Sequence, residues 1–509
     1  MARFHGILWP RESPEAERMH YGPEVFNDLN IDRILTAILP SADPEVADQL
    51  RTPIARPDMV RYRQEVFRDL ERPETRSVIE EFTRGMHEVR WNRSQAERTG
   101  HAGQRDRYHL DAGASYCRTV AEHFRALSEV DTESAGLRLW REYLGGYLAT
   151  PEFRTLADET TALLRELDAI RYTIAVHEQQ VSVSGYDGRP DFGTVIEEVF
   201  APFQDGSAPN MTSRSRGWPD MNHVEEQILD CVTDLFPAQF QRLRRFAERH
   251  REFLDATVTR FDREIRFYLA WLRFQDRLVA AGLHFCYPRI EPAAGDLRIV
   301  DGYDLALALK LLDDGSRPVC NTVELADAER VLMVTGPNQG GKTTFARSLG
   351  QLCYLASLGC PVPARAARLP LPDRLFTHFE RPESPTDPAG KLQDEIARLH
   401  DALRQATDRS VLIMNETFSS TTTADALVIG ADVLRRIIDR RAIAVYVTFL
   451  DELAELSPAV VSMVAEVGDD PTQRTFRLTR RPADGKAHAV AMASMFGLTY
   501  DSIVGRIGA

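Results

Sequence analysis

Residues 331–344 read VLMVTGPNQGGKTT, and they give the strongest indication of the fold in the C-terminal part of the chain. Gly336, four further residues and then Gly341-Lys342-Thr343 satisfy the Walker A pattern. In that pattern a buried strand enters a glycine-rich loop, whose backbone N–H groups surround phosphates, and the positive end of the following helix points at them. The stretch therefore predicts a nucleotide site in which Lys342 reaches the β- and γ-phosphates and the Thr343 hydroxyl ligates Mg²⁺.

The second half of such a site is predicted at the end of another apolar strand, in SVLIMNE at 410–416. Asn415 stands where the Walker B pattern has its metal-side acid, and Glu416 follows it. An amide oxygen accepts a hydrogen bond from Mg²⁺-bound water but carries no charge, so we expect weaker Mg²⁺ binding. Glu416 is expected to polarise the attacking water, which predicts slow ATP hydrolysis; the alternative is a surface acid at a strand end.

The candidate site therefore has three groups of residues. The catalytic candidates are Glu416, Lys342 and Asn338, and the metal candidates are Thr343 and, through water, Asn415. The predicted contacts to ATP are Gly336, Pro337, Asn338, Gln339, Gly340, Gly341, Lys342, Thr343, Thr344 and Val319. Val319, with Pro318 and Asn321, precedes the first strand, where either a base-packing segment or an ordinary linker is expected.

The chain around these motifs predicts a multidomain protein, because 509 residues exceed one compact core. Strands at 331–335, 411–414 and 442–448 alternate with helices at 342–358 and 423–439, which is typical of an α/β domain with a mainly parallel sheet. A terminal antiparallel hairpin is expected at 461–467 and 475–479. The predicted segments are an irregular lead-in (1–35), a helical region (36–300) with a small insertion at about 174–220, and the P-loop ATPase domain (301–509).

Two features of the helical region carry further expectations. Residues 174–185 alternate between polar and apolar residues and predict one or two strands, and breaks between helices are expected near Pro40, Pro53, Pro73, Gly145 and Pro151. One continuous apolar stripe predicts a single helix over 238–281, a rod of about 60 Å at roughly 1.5 Å per residue. Such a rod is either a packing or dimerisation helix or a lever between distant sites.

The composition argues for a cytoplasmic protein. The formal net charge of −14 argues against a protein that coats nucleic acid with a uniformly basic surface. A local basic channel is still compatible with this charge. The N-terminus lacks a signal-peptide pattern, and no apolar run approaches the roughly 20 residues of a membrane span, so no membrane partner is expected. The six cysteines show no CxxC spacing, which favours reduced thiols.

The motifs resemble those of the MutS family of DNA mismatch-repair ATPases. GPNQGGKTTFARSLGQLCYLASLGCPVPA (336–364), NETFSSTTTADA (415–426) and GKAHAVAMASMFGLTYDSIVGRI (485–507) resemble that family's ATPase domain. TPIARPDMVRYRQEVFRDLE (52–71) and the stretch 261–288 resemble parts of its helical core and levers. The resemblance implies a homodimer with composite ATP sites, to which Gly390-Lys391 or the 419–423 region contributes from the partner, and a protein that clamps duplex or branched DNA, mainly through the backbone.

Departures from the family pattern indicate a divergent branch. Besides Asn415, the family's histidine after the next strand is matched by Thr448-Phe449, and its partner-facing serine falls near Gly390-Lys391. Lys391 is either a cation across the dimer interface or an ordinary surface lysine. No GxFYE-like stretch of a mismatch-binding domain precedes the helical core, so mispair recognition by an aromatic wedge is not expected.

Two functions from different classes remain open. The first is a dimeric, DNA-binding ATPase, in which residues 174–219 occupy the place of a reduced clamp. Its candidate phosphate contacts, alternatively a solvated arginine face, are Arg214, Arg216, Trp218, Arg242, Arg244, Arg245, Arg249 and Arg251. The second is a nucleotide-switched protein-binding scaffold. A transporter-type or SMC-type ATPase fits less well, because 73 residues from Lys342 to Asn415 leave no room for a long coiled coil.

Overall fold

The computed structural model describes residues 4–11, 18–39, 43–177, 180–186, 188, 221–291, 297–326, 328–381, 390–467, 474–483 and 500–507. The chain divides into two compact units. The helical unit consists mainly of Arg72–Thr132 and Arg138–Asp262, and the sheet unit consists of Phe4–Glu71, Glu133–Leu137 and Arg263–Ala509.

The helices are α1 (Pro23–Asp28), α2 (Ile31–Ile38), α3 (Pro44–Leu50), α4 (Pro57–Leu70), α5 (Pro73–Arg98), α6 (Ala102–Glu129), α7 (Ala135–Leu148), α8 (Pro151–Asp168), α9 (His223–Leu235), α10 (Pro237–Arg249), α11 (Ala256–Ala280), α12 (Leu305–Asp313), α13 (Lys342–Ser357), α14 (Lys391–Gln405), α15 (Thr423–Asp439) and α16 (Tyr500–Ile507). The strands are β1 (Tyr172–His177), β2 (Gln180–Gly185), β3 (Arg289–Glu291), β4 (Leu297–Gly302), β5 (Asn321–Leu325), β6 (Val331–Thr335), β7 (Ala366–Pro370), β8 (Leu375–Phe379), β9 (Val411–Asn415), β10 (Ile443–Val447), β11 (Val460–Val467) and β12 (Arg474–Arg480). Within the described residues, no helix combines the length and the apolar character that crossing a bilayer requires.

An aromatic cluster forms the core of the helical unit. The rings of Trp140 and Phe261 stack with their centroids 3.9 Å apart, and the indole Nε1 of Trp140 donates a hydrogen bond to His123 Nε2 at 3.0 Å. Burial lowers the pKa of His123 to about 3, so this ring is neutral and accepts the bond. Helices α5 and α6 approach closely at Gly85, where a Cβ atom would lie 2.3 Å from Thr119 Oγ1.

The prediction of one continuous helix over 238–281 is wrong. Helix α10 ends at Arg249 and α11 begins at Ala256. Asp255 is the N-cap of the second helix, because its Oδ1 accepts hydrogen bonds from the backbone N–H groups of Thr257 and Val258 at 2.9 and 2.8 Å. The apolar period continues on both sides of the break, so periodicity alone did not reveal this N-cap.

Three further expectations for the N-terminal half have different outcomes. The strands expected in 174–185 are confirmed as the antiparallel pair β1–β2. The break expected near Gly145 does not lie at that residue, which is inside α7, because the helix continues to Leu148. The irregular lead-in is also wrong from residue 23 onward, where α1 and α2 form.

The C-terminal part of the sheet unit contains a six-stranded sheet in the order β12-β11-β6-β10-β9-β8. All pairings are parallel except β11–β12, the expected terminal hairpin. Val447 on β10 is in register with Val334 on one side and Asn415 on the other. The carboxyl ends of β6 and β9 therefore lie at the same level of one sheet edge, which brings the two halves of the candidate site together. A second sheet, β3-β7-β4-β5, belongs to the same unit.

Helix α13, which follows the glycine-rich loop, is bound along its length by the N-terminal segment. Hydrogen bonds join Arg347 Nε to Asp28 O at 2.9 Å, Gln351 Nε2 to Leu29 O at 2.9 Å, Tyr354 Oη to Leu50 O at 2.7 Å, Ile54 N to Ser357 O at 2.8 Å and Arg63 Nη1 to Leu358 O at 2.9 Å. The last bond places a buried guanidinium at the negative end of the helix. The N-terminal segment thus anchors the element that carries Lys342.

Candidate functional site

The loop between β6 and α13 has the backbone geometry that its glycines require. Gly336 and Gly341 adopt φ values of 113° and 88°, a region that favours glycine. At Gly340 an added Cβ atom would lie 2.9 Å from the carbonyl oxygen of Pro337 and 3.0 Å from Ala465. Gln339 accepts a left-handed φ of 62°. The loop is therefore a tight turn whose backbone approaches its surroundings too closely for larger residues.

Lys342 is folded into this loop. Its Nζ donates to the carbonyl oxygens of Gly336 and Pro337, each at 2.9 Å, and lies 4.8 Å from the centre of the Phe449 ring. Only 4% of the residue is exposed. Burial lowers the pKa of Lys342, whereas the nearby carboxylate of Glu416 raises it. A cation is thus positioned at the centre of the turn, with Asn338 Oδ1 at 3.5 Å.

The predicted metal residues lie in direct contact. Thr343 Oγ1 donates a hydrogen bond to Asn415 Oδ1 at 2.8 Å, although the two residues are 72 positions apart. A hydroxyl and an amide oxygen are hard oxygen ligands of the kind that Mg²⁺ prefers, so these residues fit the ion. The pair lacks the negative charge of a carboxylate, because β9 ends at Asn415, whose side chain is an uncharged amide.

Glu416 follows Asn415 in a sharply turned segment. Glu416 and Phe418 have positive φ values of 53° and 63°, and the Glu416 N–H donates to Val447 O at 3.0 Å. The hydroxyl of Thr417, between them, donates to Tyr446 Oη. The backbone therefore places Glu416 directly after the end of β9, close enough to Lys342 for its carboxylate to act on the pKa of the lysine.

The beginning of α14 contacts the same segment. Lys391, the first residue of that helix, forms an ion pair with Glu380 at 2.6 Å, and Ser419 Oγ donates to the same carboxylate oxygen at 3.2 Å. In the single chain the Lys391 cation is therefore bound to a carboxylate beside the Glu416 segment. Its contribution across a dimer interface stays a prediction.

On the other side of the loop, the structure adds an aromatic residue that the sequence analysis did not single out. Phe476 is 47% exposed, has a positive φ of 57°, and its Cβ lies 3.5 Å from the Cβ position of Gly341. Asn321 holds it there, because the Asn321 side chain bonds both Phe476 O and Leu478 N. Val319 is 39% exposed, two positions before Asn321. Only the long-range pairing identifies Phe476, so no local signal was available.

The candidate DNA contacts are only partly described. Arg214, Arg216 and Trp218 lie outside the described residues. Arg242 pairs with Glu166 at 3.0 Å and Arg249 with Glu159 at 2.5 Å, both across to α8. The remaining three of the predicted arginines, which are Arg244, Arg245 and Arg251, are exposed. Two of the predicted contacts thus serve in ion pairs within the helical unit.

A cleft of about 940 Å³ elsewhere in the sheet unit is lined by arginines and does not include the glycine-rich loop. Arg56 and Arg398, two of its lining residues, form ion pairs with Asp58 and Asp394. The cleft is therefore separate from the candidate site.

Comparison with known proteins shows which proteins the part of the chain that carries the site is similar to. Residues 332–505 match the family model of MutS domain V. This part of the chain is therefore similar to domain V of MutS proteins. The similar proteins include "DNA mismatch repair protein MutS" of Chlorobium limicola, 31% identical over 221 residues that make up 42% of this chain and 25% of the relative. Those of Streptococcus gordonii and Lactobacillus acidophilus are 30% and 25% identical, over 22% and 27% of their length.

The likeness to these MutS proteins therefore spans about a quarter of each relative. The match to the domain model, at residues 332–505, includes the loop at 336–344, the Asn415-Glu416 pair and Phe449. The resemblance to MutS proteins expected from the sequence is confirmed for the domain at 332–505.

Proposed function

We propose that this chain binds ATP with Mg²⁺ in the loop at 336–344 and hydrolyses the nucleotide slowly. The observation that carries the proposal is the hydrogen bond between Thr343 and Asn415, because it joins the two halves of a P-loop site at the predicted metal position. Lys342 supplies the cation for the β- and γ-phosphates, as its Nζ is already held inside the loop. The exposed ring of Phe476 offers a face for the base.

In the proposed reaction the side chains have separate tasks. Backbone N–H groups of the loop and the start of α13 bind the phosphates. Thr343 and Asn415 would hold Mg²⁺, which neutralises phosphate charge when bound. The carboxylate of Glu416 orients a water molecule and accepts its proton. Phe449, where the family has histidine, has no hydrogen-bonding group to offer the γ-phosphate, and this supports slow turnover.

Asn415→Asp should lower the Mg²⁺ concentration that gives half-maximal ATP hydrolysis, by about tenfold. The carboxylate would keep the acceptor for Thr343 Oγ1 and add a charge beside the ion, and ligand charge is a main determinant of affinity for such cations. The measurement is a Mg²⁺ titration of phosphate release for both proteins. An unchanged or higher Mg²⁺ requirement in the aspartate variant would contradict the metal role of Asn415.

We further propose that the chain acts as a dimer on duplex or branched DNA, in a mismatch-repair or recombination type of process. The support is the match to MutS domain V and the similarity to proteins named as DNA mismatch repair proteins, together with the exposed residues Arg244 and Arg245 of α10 and Arg251 beyond it. Non-specific contacts to phosphates are the expected mode, because the exposed candidates among the described residues are arginines.

The DNA proposal predicts a steep dependence on salt. The association constant for a duplex or a four-way junction should fall by at least about tenfold between 50 and 200 mM salt. Arg244→Glu/Arg245→Glu should weaken it at every salt concentration, whereas Arg242→Ala, at a residue already paired with Glu166, should change it less. Electrophoretic shifts with and without ATP measure both effects. ATP binding without any DNA binding would instead favour a nucleotide-switched scaffold.

A further inference from the structure

The segment that carries Glu416 contains two non-glycine residues with left-handed backbones, Glu416 and Phe418. Each such residue is strained and persists only where its surroundings hold it. Phe418 is 2% exposed and packs into the apolar cluster beneath β9 and α15. Its side chain therefore anchors the segment, but its backbone N–H, turned away from any sheet partner, needs an acceptor of its own.

That acceptor is a buried carboxylate. Glu395 on α14 is 2% exposed, and its Oε2 accepts the Phe418 N–H at 3.2 Å. Its Oε1 is buried and has no hydrogen-bond partner among the described residues. Burial raises the pKa of Glu395, while Lys391 and Arg398 act in the opposite direction. Burying a carboxyl group with a single hydrogen bond lowers stability relative to an apolar side chain of similar size. Packing alone therefore does not explain why a glutamate occupies position 395.

We propose that Glu395 is a positioning residue for Glu416, an inference that rests on the proposed ATPase function. By fixing the N–H of Phe418, Glu395 holds the turn two residues after Glu416 and so sets the direction of the Glu416 carboxylate. Ser419, the next residue, is bound to Glu380, the partner of Lys391 at the start of α14. Helix α14 thus holds Phe418 directly through Glu395, and it contacts Ser419 only indirectly, because Glu380 lies between Ser419 and Lys391.

Two near-isosteric substitutions separate positioning from packing. Glu395→Met keeps the volume but removes the acceptor, and Glu395→Gln keeps an amide oxygen for the Phe418 N–H. We expect kcat of the methionine variant to fall about ten- to a hundredfold, since small misplacements of catalytic groups have effects of this size. Its ATP affinity should change less than about threefold, because the acceptor does not touch the phosphate loop. Its melting temperature should be equal or higher, because an incompletely satisfied buried charge is removed.

The glutamine variant should keep at least about half of the wild-type kcat. The matched control is Asp401→Ala, a substitution of an exposed residue on the same helix.

Hydrogen exchange of a peptide covering 412–422 gives a readout that does not require hydrolysis. Exchange at Phe418 should be faster in Glu395→Met than in wild type and unchanged in Glu395→Gln. Unchanged exchange and kcat in the methionine variant, or an equal loss in both variants, would overturn the positioning role. Wild-type protein that binds no ATP would overturn the proposed function instead, so the two failures are distinguishable.

Discussion

Lys342→Ala is expected to raise the dissociation constant for ATP by at least about thirtyfold. Truncating one partner of a buried charge pair costs about 2–5 kcal/mol, and each 1.4 kcal/mol is tenfold in affinity. The lysine is 4% exposed, and its Nζ is directed into the loop by two carbonyl oxygens, so no flexible surface charge can replace it. Titration of a fluorescent ATP analogue measures the change.

Lys310→Ala is the matched control for this loss of charge. Lys310 is in the last turn of α12 and exposed, so its removal should leave the ATP dissociation constant within about twofold, as is usual for an exposed charge. Equal ATP affinity of the wild type and Lys342→Ala would contradict the proposed site. The same conclusion would follow if the wild-type protein bound no ATP at millimolar concentration.

Glu416→Gln should reduce the rate of phosphate release by about a hundredfold or more, because a positioned general base contributes roughly 10²–10⁴-fold. Glutamine has nearly the same shape, and the backbone of residue 416 is held by Val447 O, so the segment should keep its turn. The ATP dissociation constant should therefore stay within about threefold, which separates a catalytic loss from a binding loss. A single-turnover assay with excess enzyme measures the chemical step directly.

The control for this variant is Glu452→Gln, at an exposed residue of the short 3₁₀ helix Asp451–Glu455. It should hydrolyse ATP at the wild-type rate. Equal rates for Glu416→Gln and wild type would remove Glu416 from the mechanism and leave it as a surface acid at the end of β9.

The sequence predicted the sheet part of the fold closely, because its signals are local. The expected strands at 331–335 and 411–414 and the helix at 423–439 agree with β6, β9 and α15, since apolar runs bounded by turn residues carry that information within a few positions. The helical half was less accessible. The cap at Asp255 interrupts a stripe that is otherwise regular, and a period of apolar residues does not distinguish one long helix from two.

Residue types at short spacing were enough to predict the glycine-rich loop, the resemblance to MutS domain V and the place of Asn415 at the end of a strand. Which distant groups meet could be read from the three-dimensional structure alone. It placed Asn415 against Thr343, Phe476 against Gly341 and Glu395 beneath Phe418. Each of these contacts depends on strand order or helix packing, which bring together residues far apart in the chain. A local pattern of amino acids therefore does not predict these contacts.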